Sequence, residues 1–177
     1  MDMMKKISLF LGEQTTVDPK QRQAMTRVYR NALADHIEAF VDDYAKNRNE
    51  DVLENKLEAY IKRFLAILDD ELGKGAILPK DAAMAFIFGI EDGLKKRVQK
   101  YDAQDFQGVK RHSKTVGSVH PLESLVKDII IRISEREHGK HTMIKLAWNN
   151  LFYDKWINDI ENPSDIDVSR YFDQNKD

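Results

Sequence analysis

The chain has 177 residues, of which 42% are hydrophobic and 33% are charged. This composition is typical of one soluble globular domain. The formal net charge of −2 favours neither an acidic nor a basic partner, so any such inference depends on local charge. The chain contains no cysteine, which excludes disulfides, thiolate metal sites and cysteine nucleophiles and favours a reducing compartment.

The first residues, MDMMKKISLFLGEQ, resemble the start of a signal peptide, with Lys5 and Lys6 before a short apolar run. That run stops at Gly12, too early for a secretion signal. No run approaches the roughly 18 apolar residues that a membrane helix needs. We therefore expect a cytoplasmic protein with no membrane partner, in which residues 1–17 are peripheral to the fold.

Three amphipathic or apolar segments predict the first three helices. Asp18 and Pro19 form a helix start, and apolar residues recur at three- and four-residue steps from there to about Lys46. A second apolar face runs from Leu53 to Leu72 and ends at a glycine-rich C-cap signal, residues 73–75. Pro79 opens a third helix. Its residues 82–90 are apolar on nearly every side, which places this helix in the middle of a bundle.

Two more helices are predicted after a long segment, residues 101–120, that lacks helical periodicity. The fourth helix starts at Pro121 and is capped near Gly139, and the fifth runs from about Thr142 to Ile160. Residues 163–177 form a polar, peripheral tail. The prediction is an all-α fold with a single domain over residues 1–177: a bundle of about five helices in which residues 101–120 form one long crossover loop.

Catalytic and metal motifs give little support for an enzyme. The chain has no Gly-x-Ser-x-Gly elbow and no glycine-rich phosphate loop after a strand, so no catalytic residue is predicted. Glu135 and His138 have the Glu-x-x-His spacing of di-iron helical bundles, but the second such motif is missing. In the last turn of a helix His138 instead complements the helix dipole. We predict no metal and no cofactor.

An Arg followed by a His after four to six residues occurs as Arg30–His36, Arg132–His138 and Arg136–His141. This spacing resembles the catalytic motif of the HEPN ribonucleases, which are also helical, and Arg30-Asn31 is similar to that family's frequent Arg-Asn opening. In that family the Arg and His act together on RNA, usually across a dimer. The resemblance implies a HEPN-like ribonuclease as one alternative function. His36 also lies on the apolar side of its helix, where the other interpretation is a hydrogen-bonded core histidine.

Two basic segments predict an anion-binding surface. No acidic residue lies between Pro19 and Ala34, and none lies between Phe106 and Leu122. If the fold brings the two segments together, their side chains would form one patch suited to phosphates of nucleic acid; otherwise they are ordinary solvated charges. The predicted patch residues are Lys20, Arg27, Arg30, Lys110, Arg111 and Lys114.

The predicted fifth helix is rich in aromatic residues, with Trp148, Phe152 and Trp156 at four-residue steps along one side. Such a stripe is either packed in the core or faces a partner, and tryptophan is enriched at binding hot spots. We therefore expect a non-enzymatic helical interaction or adaptor protein that acts through protein–protein contacts and self-associates, with these three residues as anchors. A nucleic-acid-binding accessory protein is the first alternative and the HEPN-like ribonuclease the second.

Overall fold

A computed structural model describes residues 18–107 and 120–137. These residues form four α-helices and one 3-10 turn, with no strand among them: α1 (Pro19–Asn47), α2 (Glu50–Gly73), α3 (Pro79–Val98), the 3-10 turn (Ala103–Phe106) and α4 (Pro121–Arg136). The all-α prediction is confirmed, as are the first four predicted helices. The predicted fifth helix and both peripheral ends lie outside the described residues.

Local capping explains where α1 and α2 begin and meet. The Asp18 carboxylate accepts a hydrogen bond from the Lys20 amide at 3.1 Å, and the Asn49 side chain accepts one from the Val52 amide at 3.1 Å. Between these caps, α1 ends where Arg48 takes a left-handed conformation with φ 57°. Because that conformation stops a helix, the chain reverses within two residues and α2 runs back beside α1.

Helix direction follows from the residues that contact one another across the bundle. His36 of α1 stacks on Tyr60 of α2, and Asp43 of α1 pairs with Lys56 of α2, so α1 and α2 are antiparallel. On its other side α1 runs parallel to α3. Two polar pairs show this register, Arg30–Asp92 and Glu38–Arg97, in which each partner lies about sixty residues later in the chain. The hydrogen bond from Tyr101 to Asp42 continues the register just beyond the end of α3.

Close packing of α1 on α3 depends on two glycines one helical turn apart. A Cβ atom built at Gly93 would lie 2.6 Å from the Ala34 carbonyl oxygen and 2.8 Å from the Ile37 Cβ. At Gly89 it would lie 2.9 Å from the Arg30 carbonyl oxygen. The absence of side chains here lets the two backbones approach, and α1 contacts α3 far more extensively than it contacts α2.

The fourth helix runs in the same direction as α2. Arg132 and Arg136 of α4 pair with Glu54, and Arg136 also pairs with Glu58. It is buried on most sides, including Lys127, whose ammonium pairs with Glu123 at 3.0 Å. The apolar segment of α3 is buried from Ala82 to Ile90 except for Met84, which confirms its predicted central place.

The ends of the 101–120 segment lie side by side. The His120 Nε2 donates a hydrogen bond to the Tyr101 carbonyl oxygen at 2.8 Å, and Phe106 is buried with the Arg48 guanidinium 3.8 Å above its ring centre. The segment was predicted to be a crossover between distant ends of the bundle. Because Tyr101 and His120 are in contact, the end of α3 lies close to the start of α4. A crossover between distant ends of the bundle therefore does not explain the length of the segment.

Among residues 18–107 and 120–137, none of the helices combines the length and the apolar character needed to cross a bilayer.

Candidate interaction surfaces

The predicted basic face of α1 is only partly available. Lys20 and Arg27 are exposed. Arg30 instead donates two hydrogen bonds to the Asp92 carboxylate, at 2.5 and 3.0 Å, and its guanidinium lies 5.3 Å from the centre of the Phe88 ring. The hydrogen bond to Asp92 raises the pKa of Arg30 further above its usual value. Since Asp92 neutralises it, Arg30 adds little to any anion-binding surface.

The base of the 101–120 segment lies at the far end of α1 from Lys20. That base contacts Arg48, which directly follows α1, whereas Lys20 is in its first turn. Twenty-eight residues of helix span about 42 Å. Lys110, Arg111 and Lys114 lie outside the described residues, so a single patch joining them to α1 stays a prediction. The positions of Lys20 and the segment's base do not favour it.

A different set of lysines occurs at the end of α3 that leads into this segment. Lys95, Lys96 and Lys100 are exposed. The first two line an open groove of about 710 Å³ between α1 and α3, together with Asn31, Ala34, Asp35, Asp92 and Gln99. The sequence KKRVQK at residues 95–100 could have identified these side chains, but only the structure places Lys95 and Lys96 in one groove with Asn31 of the neighbouring helix α1.

Arg30 and His36 do not converge. Arg30 faces α3 through Asp92, whereas His36 faces α2, where its ring stacks on Tyr60 with 4.1 Å between ring centres. His36 is exposed, and its Nδ1 donates to the Ala32 carbonyl oxygen at 2.9 Å, so the prediction of a core histidine is wrong. His138 and His141 lie outside the described residues. The ribonuclease resemblance remains a prediction, without a joint Arg30–His36 site within one chain.

Aromatic rings line the surface where α1 and α2 meet. We call this the aromatic seam and define it by Tyr29, His36 and Phe40 of α1 with Tyr60, Phe64 and Ile67 of α2. The rings form a continuous series of neighbours. The distance between ring centres is 6.0 Å for Phe40 and Tyr60, 6.1 Å for Tyr60 and Phe64, and 6.3 Å for Phe64 and Tyr29. These rings make contacts between α1 and α2, which otherwise contact each other less extensively than α1 and α3 do.

The seam is open to solvent along much of its length. Phe64 is buried and contacts the core ring of Phe86 at 5.9 Å, while Tyr60, Phe40 and Tyr29 are half-buried and His36 is exposed. Ile67, seven residues after Tyr60, lies on the same side of α2 and is 41% exposed. The aliphatic side chain of Ile67 therefore extends the apolar surface that the aromatic rings form.

Charges surround the seam without entering it. Burial raises the pKa of the Tyr60 hydroxyl; Arg63 opposes this increase and Asp35 adds to it. At one end Lys56 pairs with Asp43 at 3.0 Å. An apolar centre bordered by charged groups is the usual arrangement of a protein-binding surface.

The predicted anchors Trp148, Phe152 and Trp156 lie outside the described residues. So does His138, the second residue of the Glu135 motif. Within the described ranges, no group of three or more His, Cys, Asp or Glu side chains could hold a metal ion.

Comparisons with protein-family models, with curated proteins and with solved structures gave no match, so function has to be inferred from the geometry of the chain itself.

Proposed function

We propose that this protein is a non-enzymatic helical interaction module that acts through protein–protein contacts. The observation that carries the proposal is the aromatic seam, in which the rings of Tyr29, Phe40 and Tyr60 remain half-buried although the core beside them is buried. Aromatic side chains provide large contact areas, and tyrosine is enriched at binding hot spots.

A matched pair of variants tests the seam. Ile67 and Leu78 are both large, apolar and about equally exposed, at 41% and 42%, but Leu78 lies at the start of α3, outside the seam. We expect Ile67→Glu to abolish capture of protein partners from the native host, because it places a charge in an apolar contact, while Leu78→Glu retains it. Equal capture by the two variants would refute the role of the seam.

The predicted tryptophan anchors can be examined in the same experiment. Trp148→Ala with Trp156→Ala should reduce capture if the aromatic stripe of residues 148–156 contributes to the interface. If that double variant loses its partners and Ile67→Glu does not, protein binding depends on the stripe and not on the seam.

A nucleic-acid-binding function is the second candidate, favoured by the groove that Lys95 and Lys96 share with Asn31 and Gln99. Two carboxylates also line this groove: Asp92, which Arg30 neutralises, and Asp35. Ammonium and amide groups are common donors to phosphate oxygens. Changing both lysines to Glu should weaken binding of a mixed polynucleotide and reduce its salt dependence, because fewer counterions are released. Changing Lys20 and Arg27 to Glu tests the other end of α1. If both double variants bind the polynucleotide as tightly as the wild type does, neither basic surface is the binding site.

A further inference from the structure

The outer face of α2 carries three pairs of residues that lie seven positions apart. Ala59 and Ala66 form one such pair, Tyr60 and Ile67 a second, and Arg63 and Asp70 a third. All of these side chains except that of Tyr60 are exposed. Residues seven positions apart lie on the same side of a helix and can face a second helix together. The small side chain of Ala66 allows the two backbones to come close.

We propose that this outer face of α2 pairs with the same face of a second copy of the chain, with the two α2 helices antiparallel. The inference rests on the proposed interaction function and deepens it by naming a partner. It follows from the charge pattern of the face, which is complementary to itself in one orientation and not in the other.

The charges select both direction and register. When the two-fold axis passes between Ala66 and Ile67, Arg63 of one copy lies opposite Asp70 of the other, and the symmetry forms this pair twice. Ala66 and Ile67 then lie at the centre, where apolar contact is greatest. In a parallel pairing Arg63 would face Arg63 and Asp70 would face Asp70, and like charges opposite one another are unfavourable.

The groups needed for these pairs are available. In the described part of the chain, Arg63 has no ion pair. Asp70 pairs with Lys74 at 2.9 Å, but the two side chains are 64% and 61% exposed, and exposed pairs of this kind contribute little to stability. A carboxylate accepts several hydrogen bonds through its two oxygens. Asp70 can therefore receive Arg63 of a second copy while it keeps Lys74.

A two-fold contact between two copies of this face forms a closed dimer. Each chain offers the same patch once, so pairing ends at a dimer and does not continue into a filament. The contact area of one helix pair is small, and interfaces at the low end of the size range are weak. We therefore expect a dissociation constant of about 10–100 µM, which corresponds to modest association.

Charge exchange tests the pairing directly. Sedimentation equilibrium of the full chain should show a wild-type dimer over about 5–500 µM, a range chosen to span the expected dissociation constant. Arg63→Asp alone and Asp70→Arg alone should each raise that constant at least about tenfold, because symmetry introduces every repulsive contact twice. Mixing the two single variants should restore dimers, since each mixed pair regains Arg opposite Asp at both positions. Arg27→Asp makes the same change on an exposed arginine of α1 and should leave dimerisation unaltered.

Several results would overturn the inference. These are a wild-type chain that stays monomeric at about 500 µM, far above the expected constant, single variants that dimerise normally, and mixtures that remain monomeric although both variants show the helical circular dichroism of the wild type. Failure here is distinct from failure of the proposed function. A monomeric wild type whose capture of other proteins still depends on Ile67 would remove the dimer and leave the interaction function standing.

Discussion

Replacing Gly93 by alanine tests the close packing of α1 on α3. The added methyl group would lie 2.6 Å from the Ala34 carbonyl oxygen and 2.8 Å from the Ile37 Cβ, distances at which one of the two helices has to move. The carbonyl belongs to the backbone of α1, so no side-chain rotation can relieve the contact.

The magnitude follows from two opposing effects. Forcing an extra methyl group into a well-packed interior costs about 1–3 kcal/mol, and the upper end applies because a backbone atom is in the way. Alanine also favours a helix over glycine by about 1 kcal/mol. The free energy of unfolding should therefore fall by about 2 kcal/mol, and Tm should fall by roughly 4–8 °C for a chain of this length.

Gly73→Ala is the matched control. Gly73 is the last residue of α2, and a Cβ built there meets no atom within 4 Å, so the same substitution should leave Tm unchanged or slightly higher. Urea unfolding and thermal melts of both variants measure the difference. A Gly93→Ala chain as stable as the wild type would show that α1 and α3 are farther apart than the structure indicates.

Three further predictions concern single polar contacts. In a double-mutant cycle with Arg30→Ala and Asp92→Ala, urea unfolding should give a coupling free energy of at most about 1 kcal/mol. Both side chains are about 40% exposed, and a larger coupling would mean that the pair is effectively buried. Hydrogen bonding to Asp42 and then burial raise the pKa of Tyr101, so its contribution to stability is complete below pH about 10 and is lost as the pH rises through the raised pKa. At pH 7 the Tyr101→Phe substitution should lower the free energy of unfolding by about 1 kcal/mol. Above pH about 10 the variant should lose less stability than the wild type as the pH rises, and an equal loss in the two chains would contradict this. His120 caps α4 and also donates to the Tyr101 carbonyl oxygen, so thermal melts should show a larger loss for His120→Ala, about 1–2 kcal/mol, than for His120→Asn, which can still cap; equal losses would rule out the cap.

Features that depend on neighbouring residues were predictable from the sequence. The start of α1 at Asp18 and Pro19 follows from capping alone, and the central place of α3 follows from its all-round apolar residues. The fourth helix was less predictable. Its sequence has one clear apolar face, yet Lys127 on another side is also buried, because burial depends on how much of the chain surrounds a helix.

Features that depend on distant residues were not predictable. The sequence predicts an available cation at Arg30 because no acidic residue lies between Pro19 and Ala34, but its partner Asp92 is 62 residues away. His36 looked like a core residue because it shares a side of α1 with apolar side chains. It lies at the edge of that side, where the ring of Tyr60 covers one face of the imidazole and solvent reaches the rest. The exposure of His36 therefore depends on where α2 lies beside α1, and no local sequence pattern predicts that position.

The parallel register of α1 and α3 has a consequence for how the chain folds during synthesis. The polar contacts between these helices join residues about sixty positions apart, and contacts of large sequence separation form late because they require a long loop to close. Until α3 has been made, Leu33 and Ile37 of α1 lack the glycines they pack against. The hairpin of α1 and α2 therefore leaves the ribosome with an apolar surface exposed. This surface of α1 cannot pack against α3 until Gly93 has been synthesised.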